Sequence, residues 1–417
     1  MRTVADIHIH SRFARGTSQD MNFANLEKFA VLKGVNIVGT GDFTHPDWLK
    51  EVRRDLTDDG SGLLSYPNGR TRFVLTTEVS SIYQQDGKTR KIHNIIAVPS
   101  IEIAEQVNAA LAKYGSLTSD GRPTLSVPCP QLTEEIMQIS PNNVLIPAHI
   151  WTPWFSLFGS NSGFDSIKDC FQDQLRHIHA IETGLSSDPA MNWRLSQLDN
   201  MAIISNSDCH SYWPWRLGRE ANVLELERPD YRSLMSSLLS RDPRKFLYTI
   251  EVEPAYGKYH FDGHRDCNYV LEPKQSIKQG NVCGVCRRKL TIGVAHRVEE
   301  LADRPEGYSP PDPVPFRTLL PLAELVAAAI NQQLGTKKVW EQTLKLITAF
   351  GSELNVLLEA PESRLKEFAS PALLAAILKN REGKIRVKPG YDGVYGVPIL
   401  DEKIEIRKNP QTSLGQF

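Results

Sequence analysis

Short apolar runs that stop at a polar residue recur along the first half of the chain. Ala5-Asp6-Ile7-His8-Ile9-His10 opens the series. Alternate side chains of a strand share a face, so Asp6, His8 and His10 would point one way and Ile7 and Ile9 the other. Residues 35–40 form a second run that ends in Gly41-Asp42-Phe43-Thr44-His45. Residues 73–77 lead to Glu78, 143–147 to Ala148-His149, 179–181 to Glu182-Thr183-Gly184, and 201–204 to Ser205-Asn206-Ser207-Asp208-Cys209-His210. Residues 92–98 break the pattern, because His93 comes at the start of its run; that strand is expected to point differently. Helical spacing fills several intervals, at 26–33 closed by Gly34, at 101–111 and at 133–139. Strands alternating with helices predict a parallel sheet. Buried strands whose last residues are His, Asp or Glu predict a β/α barrel, where chemistry collects at the C-terminal strand ends.

The residues collected in this way are His8, His10, Asp42, Glu78, His93, His149, Asp208 and His210. Any one of them alone reads as a cap or a satisfied core polar group. Together, mostly at equivalent strand ends, they point to a polynuclear metal centre. Imidazole nitrogen with carboxylate oxygen suits zinc, manganese or iron, and a bridging carboxylate can hold two ions side by side.

After residue 251 the barrel pattern stops. His264 and Cys267 form H-x2-C, and Cys283 and Cys286 form C-x2-C. Two such knuckles make a tetrahedral structural zinc site. His264 fits the spacing for the fourth ligand, with His260 and His296 as rivals. Residues 304–315 are proline-rich and read as an extended strap. Helical spacing returns at 322–333, 340–350, 365–368 and 373–378. The stretch 384–396 is basic, glycine-bearing and aromatic, and reads either as a surface hairpin or as a grip on a nucleic-acid backbone. These shifts divide the chain into a barrel at 1–250, a zinc-binding unit at 251–303 and a linker with a helical domain at 304–417.

Composition narrows the picture. The chain has 417 residues, 41% of them hydrophobic, enough for a large core. The formal net charge of −1 removes any bulk basic signature, so a polyanion would need local positive charge. Arg12 and Arg15 follow the first histidine pair, Arg216 and Arg219 follow the last, and Lys388 lies in the basic tail. Trp151, Trp154 and Phe155 follow His149 directly, and Trp213 follows His210. These aromatics serve either as a packed lid or as a stacking surface for an unpaired base. Cys129, Cys170 and Cys209 are irregularly spaced and read as reduced thiols. No signal-peptide pattern and no bilayer-spanning apolar run is present, so a soluble cytoplasmic protein with no membrane partner is expected.

H-x-H at the first strand, T-x-D at the second, a strand-end Glu, two later histidines and a final D-x-H resemble the polymerase and histidinol phosphatase (PHP) superfamily. Gly39-Thr40-Gly41-Asp42-Phe43-Thr44-His45-Pro46, Glu182-Thr183-Gly184-Leu185-Ser186-Ser187-Asp188-Pro189 and Asn206-Ser207-Asp208-Cys209-His210-Ser211 resemble one branch, the endonuclease Q family. The resemblance covers about residues 1–400. It implies a distorted β/α barrel of PHP type, followed by the zinc unit and a mainly helical C-terminal domain. It implies one metal on His8, His10, Glu78 and Asp208, a second on Glu78, His93 and His149, and part of a third on Asp42 and His210. Many superfamily members carry a histidine soon after H-x-H, where this chain has Phe13-Ala14-Arg15-Gly16-Thr17. The implied activity is a nick 5′ to a deaminated base (hypoxanthine, uracil or xanthine) in DNA, and at abasic sites. His8, His10, Glu78 and Asp208 would act in catalysis. Zn2+ would fill both centres, with Mg2+ or Mn2+ serving turnover. Arg12, Arg15, Trp151, Trp154, Phe155, Trp213, Arg216 and Lys388 are the candidate DNA contacts. The alternatives are a phosphomonoesterase of the same superfamily and a non-catalytic sensor of DNA damage.

Overall fold

The computed structural model describes residues 1–401 and Ile404–Glu405; the end of the 304–417 segment lies outside the described residues. The strand Arg2–Asp6 is central. It runs parallel to Ile37–Gly39, which runs parallel to Arg72–Gln85. On its other side Arg2–Asp6 pairs antiparallel with Ala221–Glu225, which pairs antiparallel with Phe246–Glu251. The sheet is therefore mixed, not the parallel one that the strand–helix alternation predicts. The main departure is Arg72–Gln85 with Lys88–Val98, a long antiparallel hairpin running in register from Leu75 opposite Val98 to Gln85 opposite Lys88. A tight turn at Asp86-Gly87 joins them, where a crossover helix would have kept them parallel. His93 opens its apolar run because this strand, Lys88–Val98, runs the opposite way and carries His93 at its middle.

Val144–Pro147 pairs with Lys88–Val98, and Ala180–Glu182 pairs in parallel with Ala202–Ile204. Single hydrogen bonds span the remaining gaps. Ile150 N donates to Glu182 O at 3.1 Å, and His10 N donates to Cys209 O at 3.0 Å. Ala5, Ile37, Val74, Ile95, Ile146, Ala180 and Ile204 come from seven different strands and share one buried apolar cluster. Strands can all meet in one cluster only if the sheet curls on itself, so this is the inside of a distorted barrel.

Helices pack outside. Phe23–Lys33 is capped by the Asn22 side chain, which accepts from Asn25 N, and ends at Gly34 with φ 95°. Its Phe23, Leu26 and Phe29 are buried against the sheet beside Trp48. The expected helices at 101–111 and 133–139 are found as Ile101–Leu111 and Cys129–Ile139. The 251–303 stretch holds a small hairpin, Asp262–His264 with Tyr269–Leu271, and the helices Pro273–Lys278 and Val294–Leu301. The proline-rich strap leads into Phe316–Thr318, which adds a strand beside Phe246–Glu251. The helices that follow bury their own apolar cluster, including Leu325, Leu346, Val356 and Ile377.

One buried ion pair ties this helical unit to the barrel. Lys33 Nζ lies 2.7 Å from Glu353 Oε1 and donates to Pro214 O at 2.7 Å. Both charged side chains are almost wholly buried. Glu353 also accepts from Leu322 N. No helix of the described residues is long and apolar enough to cross a membrane.

Candidate metal centre

Six strand-end or hairpin side chains converge at one end of the barrel. One oxygen each from Glu78 and Asp208 and one ring nitrogen each from His8 and His10 lie within 4.8 Å of one another. Glu78, His93 and His149 make a second group by the same measure. Glu78 belongs to both, and its two oxygens divide between them. Oε1 faces His93 Nδ1 at 2.7 Å and His149 Nε2 at 2.9 Å. Oε2 faces His10 Nε2 at 3.2 Å and His8 Nε2 at 3.6 Å.

The far side of each ring is held. His8 Nδ1 lies 3.0 Å from both oxygens of Glu182, His10 Nδ1 lies 2.9 Å from Asp42, and His149 Nδ1 lies 3.2 Å from Ser156 Oγ. Such contacts fix the tautomer and aim the opposite nitrogen. The aimed atoms include His8 Nε2, His10 Nε2 and Asp208 Oδ1, which are buried and have no hydrogen-bond partner. Unsatisfied buried polar atoms are costly, and three converging on one point fit a cation bound between them.

The backbone supports this placement at a cost. His149, Asp208 and Asp42 have φ of 29°, 45° and 48°, the left-handed region that non-glycine residues rarely adopt. Gly184 makes room beside His149: a Cβ there would lie 2.4 Å from that of His149.

Electrostatics follow from the crowding. Burial pushes the Glu78 carboxyl up, but His93, Arg122 and His8 hold it well below the usual carboxylate range. Asp208 is likewise held low against burial by His10, His8 and His210. Burial drives His93 down to about 4. Against burial, the neighbouring carboxylates hold His8, His10 and His149 above the usual imidazole range. Without a cation the ionised carboxylates are thus matched by imidazolium, and a bound metal would replace those protons.

Asp42 and His210 stand apart from these groups. Asp42 spends one oxygen on His10 Nδ1 and the other on Ser11 N at 2.6 Å, so it orients a ligand instead of offering an atom. The His210 ring lies tilted 4.6 Å from that of His10, and its Nδ1 lies 3.0 Å from the Asp208 carbonyl. Neither falls in a group of three ligand atoms among the described residues. Asp6 is buried and accepts from Ser207 N and Gly218 N, which fixes the loop that carries Asp208.

The DNA-contact candidates divide sharply. Trp151 is 1% exposed and donates to Asn192 Oδ1 at 2.8 Å, so it is core and not a base-stacking surface. Phe155, at φ 61°, lays its ring 4.8 Å from His93, and its carbonyl accepts from His93 N. Trp154 is 41% exposed and meets Tyr259 edge-on at 5.8 Å. Trp213 is spent in a stack with Trp215 and against Trp340 and Phe29, where the helical unit meets the barrel. Arg12 is paired with Glu51, and Arg15 lies exposed near Asp120. Arg216 is partly buried and Lys388 is exposed.

Two residues that matter here are absent from the sequence-derived set. Glu182 holds His8, His149 N and Asn206 together. Its place in the Glu182-Thr183-Gly184 stretch was the available signal. Arg122 donates to Glu78 Oε2 at 3.1 Å, from a loop with no periodic pattern to mark it.

In the following unit His264, Cys267, Cys283 and Cys286 bring their ligand atoms within 4.8 Å of one another. His264 Nδ1 lies 3.4 Å from Cys286 Sγ. Against burial, the backbone N–H groups of Cys286 and Val285 bring the Cys283 thiol down to about 6, toward the thiolate that binds metal. His296 is paired with Asp262 at 2.5 Å and Glu300 at 3.3 Å, and His260 lies outside the group.

Residues 321–384 match the family model described as the MJ0043 C-terminal domain. The YqxK protein of Bacillus subtilis is 28% identical over 411 residues, covering 94% of this chain and 98% of that protein. The MJ0043 protein of Methanocaldococcus jannaschii is 32% identical over 264 residues, 61% of this chain; the match spans 32% of that longer relative. Among solved structures, the lesion-specific endonuclease Q from Pyrococcus furiosus superposes with a TM-score of 0.86 at 29% identity, covering 97% of this chain and 96% of that one. Endonuclease Q in complex with a 27-mer duplex substrate, with an abasic lesion at the active site, gives 0.86 and 29% as well, covering 99% of this chain and 100% of that one. Over nearly its whole length the chain shares the fold of endonuclease Q.

Proposed function

We propose that this protein is a metal-dependent DNA repair endonuclease that hydrolyses the phosphodiester 5′ to a deaminated base, hypoxanthine, uracil or xanthine, and at abasic sites. The observation that carries this reading is the division of Glu78, with one oxygen turned to each ligand group. His8, His10, Glu78 and Asp208 would hold one ion, and Glu78, His93 and His149 a second. Zinc fits both groups and the Cys/His unit, with magnesium or manganese serving turnover in the barrel. Bound ions of this kind lower the pKa of a coordinated water and neutralise charge on a phosphate. Glu182 and Asp42 hold the histidine rings in the ligating orientation. Phe155 covers His93 and keeps bulk water from that side. The oxygen of water joins phosphorus, the bond from phosphorus to the 3′ oxygen breaks, and that oxygen takes up a proton. The products are a 3′-hydroxyl and a 5′-phosphate.

Similarity to an endonuclease bound to a lesion-bearing duplex supports the DNA reading over a monoesterase. Trp154 and Lys388, which remain exposed, are the DNA contacts retained from the candidate set, with Arg15 and Arg216 at the rim. We assign 1–250 as the catalytic barrel, 251–303 as the zinc unit, and 304–417 as the strap and a DNA-contacting helical domain. End-labelled duplexes carrying one hypoxanthine, one uracil, one abasic site or no lesion test the proposal. A nick immediately 5′ to the lesion is expected; phosphate release from small monoesters with no nick on any duplex would sink it.

A further inference from the structure

The loop between the helix Ile101–Leu111 and the short strand Thr124–Leu125 is fastened to the metal centre at several points. Gly121 N donates to Phe13 O at 3.0 Å, Thr44 Oγ1 donates to Gly121 O, and Ser80 N donates to Pro123 O at 2.9 Å. Asp120 accepts from the backbone N of both Arg15 and Arg122. The approach is so close that a Cβ on Gly121 would lie 2.3 Å from Asp42 Oδ2. The loop thus touches the segment after H-x-H, the Asp42 turn and the Glu78 strand together. The side chain it delivers to the centre is Arg122.

Arg122 Nη1 donates to Glu78 Oε2, the oxygen that also faces His8 and His10. Its charge acts on Asp208, His93 and His210 as well. A cation on a bridging carboxylate weakens that carboxylate as a metal ligand, so orienting Glu78 alone is a poor reason for it. Two imidazoles already fix the other oxygen. A guanidinium carries five N–H donors in a fixed fork that matches phosphate. The side chain keeps 20% of its surface exposed, and its contact with Glu78 uses one of the five N–H donors. Other nearby arginines are committed elsewhere: Arg219 gives two N–H groups to Ser207 O, and Arg12 pairs with Glu51. Among the described residues no other Lys or Arg forms an ion pair with a carboxylate of the two ligand groups.

We propose that Arg122 is a catalytic residue that binds a non-bridging oxygen of the scissile phosphate beside the ions. The inference rests on the phosphodiesterase reading above and adds the substrate-binding cation that reading lacks. The fork holds the phosphate as the oxygen of water joins phosphorus, and it stabilises the negative charge that builds on the equatorial oxygens before the 3′ oxygen leaves.

The experiment compares wild type with Arg122→Ala, each loaded with metal and checked for metal content and thermal melting. The variant is expected to keep its ions and its melting temperature while kcat for nicking falls by about 10²–10³-fold, the usual cost of one such donor. Added guanidinium chloride is expected to restore part of that rate. Inorganic phosphate is expected to raise the melting temperature of the wild type and not that of the variant. Loss of metal in proportion to activity would overturn the proposal and make Arg122 a positioning group for Glu78. An unchanged kcat, or phosphate stabilising both proteins equally, would overturn it too. If the wild type nicks no duplex yet binds phosphate through Arg122, the endonuclease reading fails while the phosphate site stands.

Discussion

The molecule carries two groups of metal-ligating side chains built on opposite plans. The barrel group draws its ligands from five segments between His8 and Asp208, and the fold must be complete before they meet. The Cys/His group draws all four from residues 264–286, within a small unit with few buried apolar residues. The first is buried, shares one carboxylate between two sets, and leaves ligand atoms unsatisfied toward a common point. The second has four ligands closed on one another and Cys286 at the surface. A closed tetrahedral set leaves no position for substrate, whereas a set with carboxylates and a shared bridge does. On the proposed reading the chemistry belongs in the barrel, and a metal held by the Cys/His group would supply folding energy to a unit that lacks a core.

The strongest way to break this contrast is to remove the shared carboxylate. Glu78→Gln is expected to cut nicking by at least about 10³-fold, the scale of losing a central catalytic group, while elemental analysis still finds zinc in the Cys/His unit. The reverse change sharpens it. Cys283→Ser is expected to release that zinc and expose residues 262–291 to proteolysis, with barrel metal content unchanged. A milder change acts behind the ligands. Glu182→Gln weakens the hold on His8 and is expected to cost about 10–100-fold in barrel metal affinity, read by chelator competition.

The smallest effect concerns a carboxylate pair beneath the centre. Glu220 and Glu251 are buried, and both lie within hydrogen-bond distance of Ser205 Oγ, at 3.1 and 3.0 Å. Burial raises Glu220 to about 8, far above its ordinary 4.5. The folded state then holds a proton that the unfolded chain releases. Its stability contribution is complete below pH 4.5 and is lost as pH rises through about 8. Glu220→Gln stays neutral, so its melting temperature relative to wild type is expected to rise between pH 5 and 8.

Much of the barrel centre was readable from residue order. Polar residues at or near the ends of apolar runs named the members of both ligand groups apart from His93, because strand ends in a barrel converge whatever the loops do. His93 stood out by breaking that pattern. The Cys/His knuckles were readable for a simpler reason, since their spacing is local. What stayed hidden was direction and long-range pairing. Trp151 has the composition of a stacking residue, yet the turn after His149 buries it against Asn192. Trp213 looked free until the helix Lys337–Phe350 brought Trp340 to it. Asp42 has a ligand's chemistry but faces the back of His10. Arg122 lies in an aperiodic loop, and the buried pair of Lys33 with Glu353 joins residues far apart in the chain. The hairpin that turned the parallel sheet into a mixed one left one trace, the early position of His93.

The most direct test is to strip the protein of metal and add zinc back in steps, with Mg2+ present throughout, following nicking of a hypoxanthine duplex alongside the occupancy of each group. Thiolate absorbance reports the Cys/His unit, and total bound zinc gives the barrel by difference. The account predicts that nicking stays absent while only the Cys/His unit is filled and appears as the two groups sharing Glu78 fill. Full nicking with the barrel groups still without metal would contradict it.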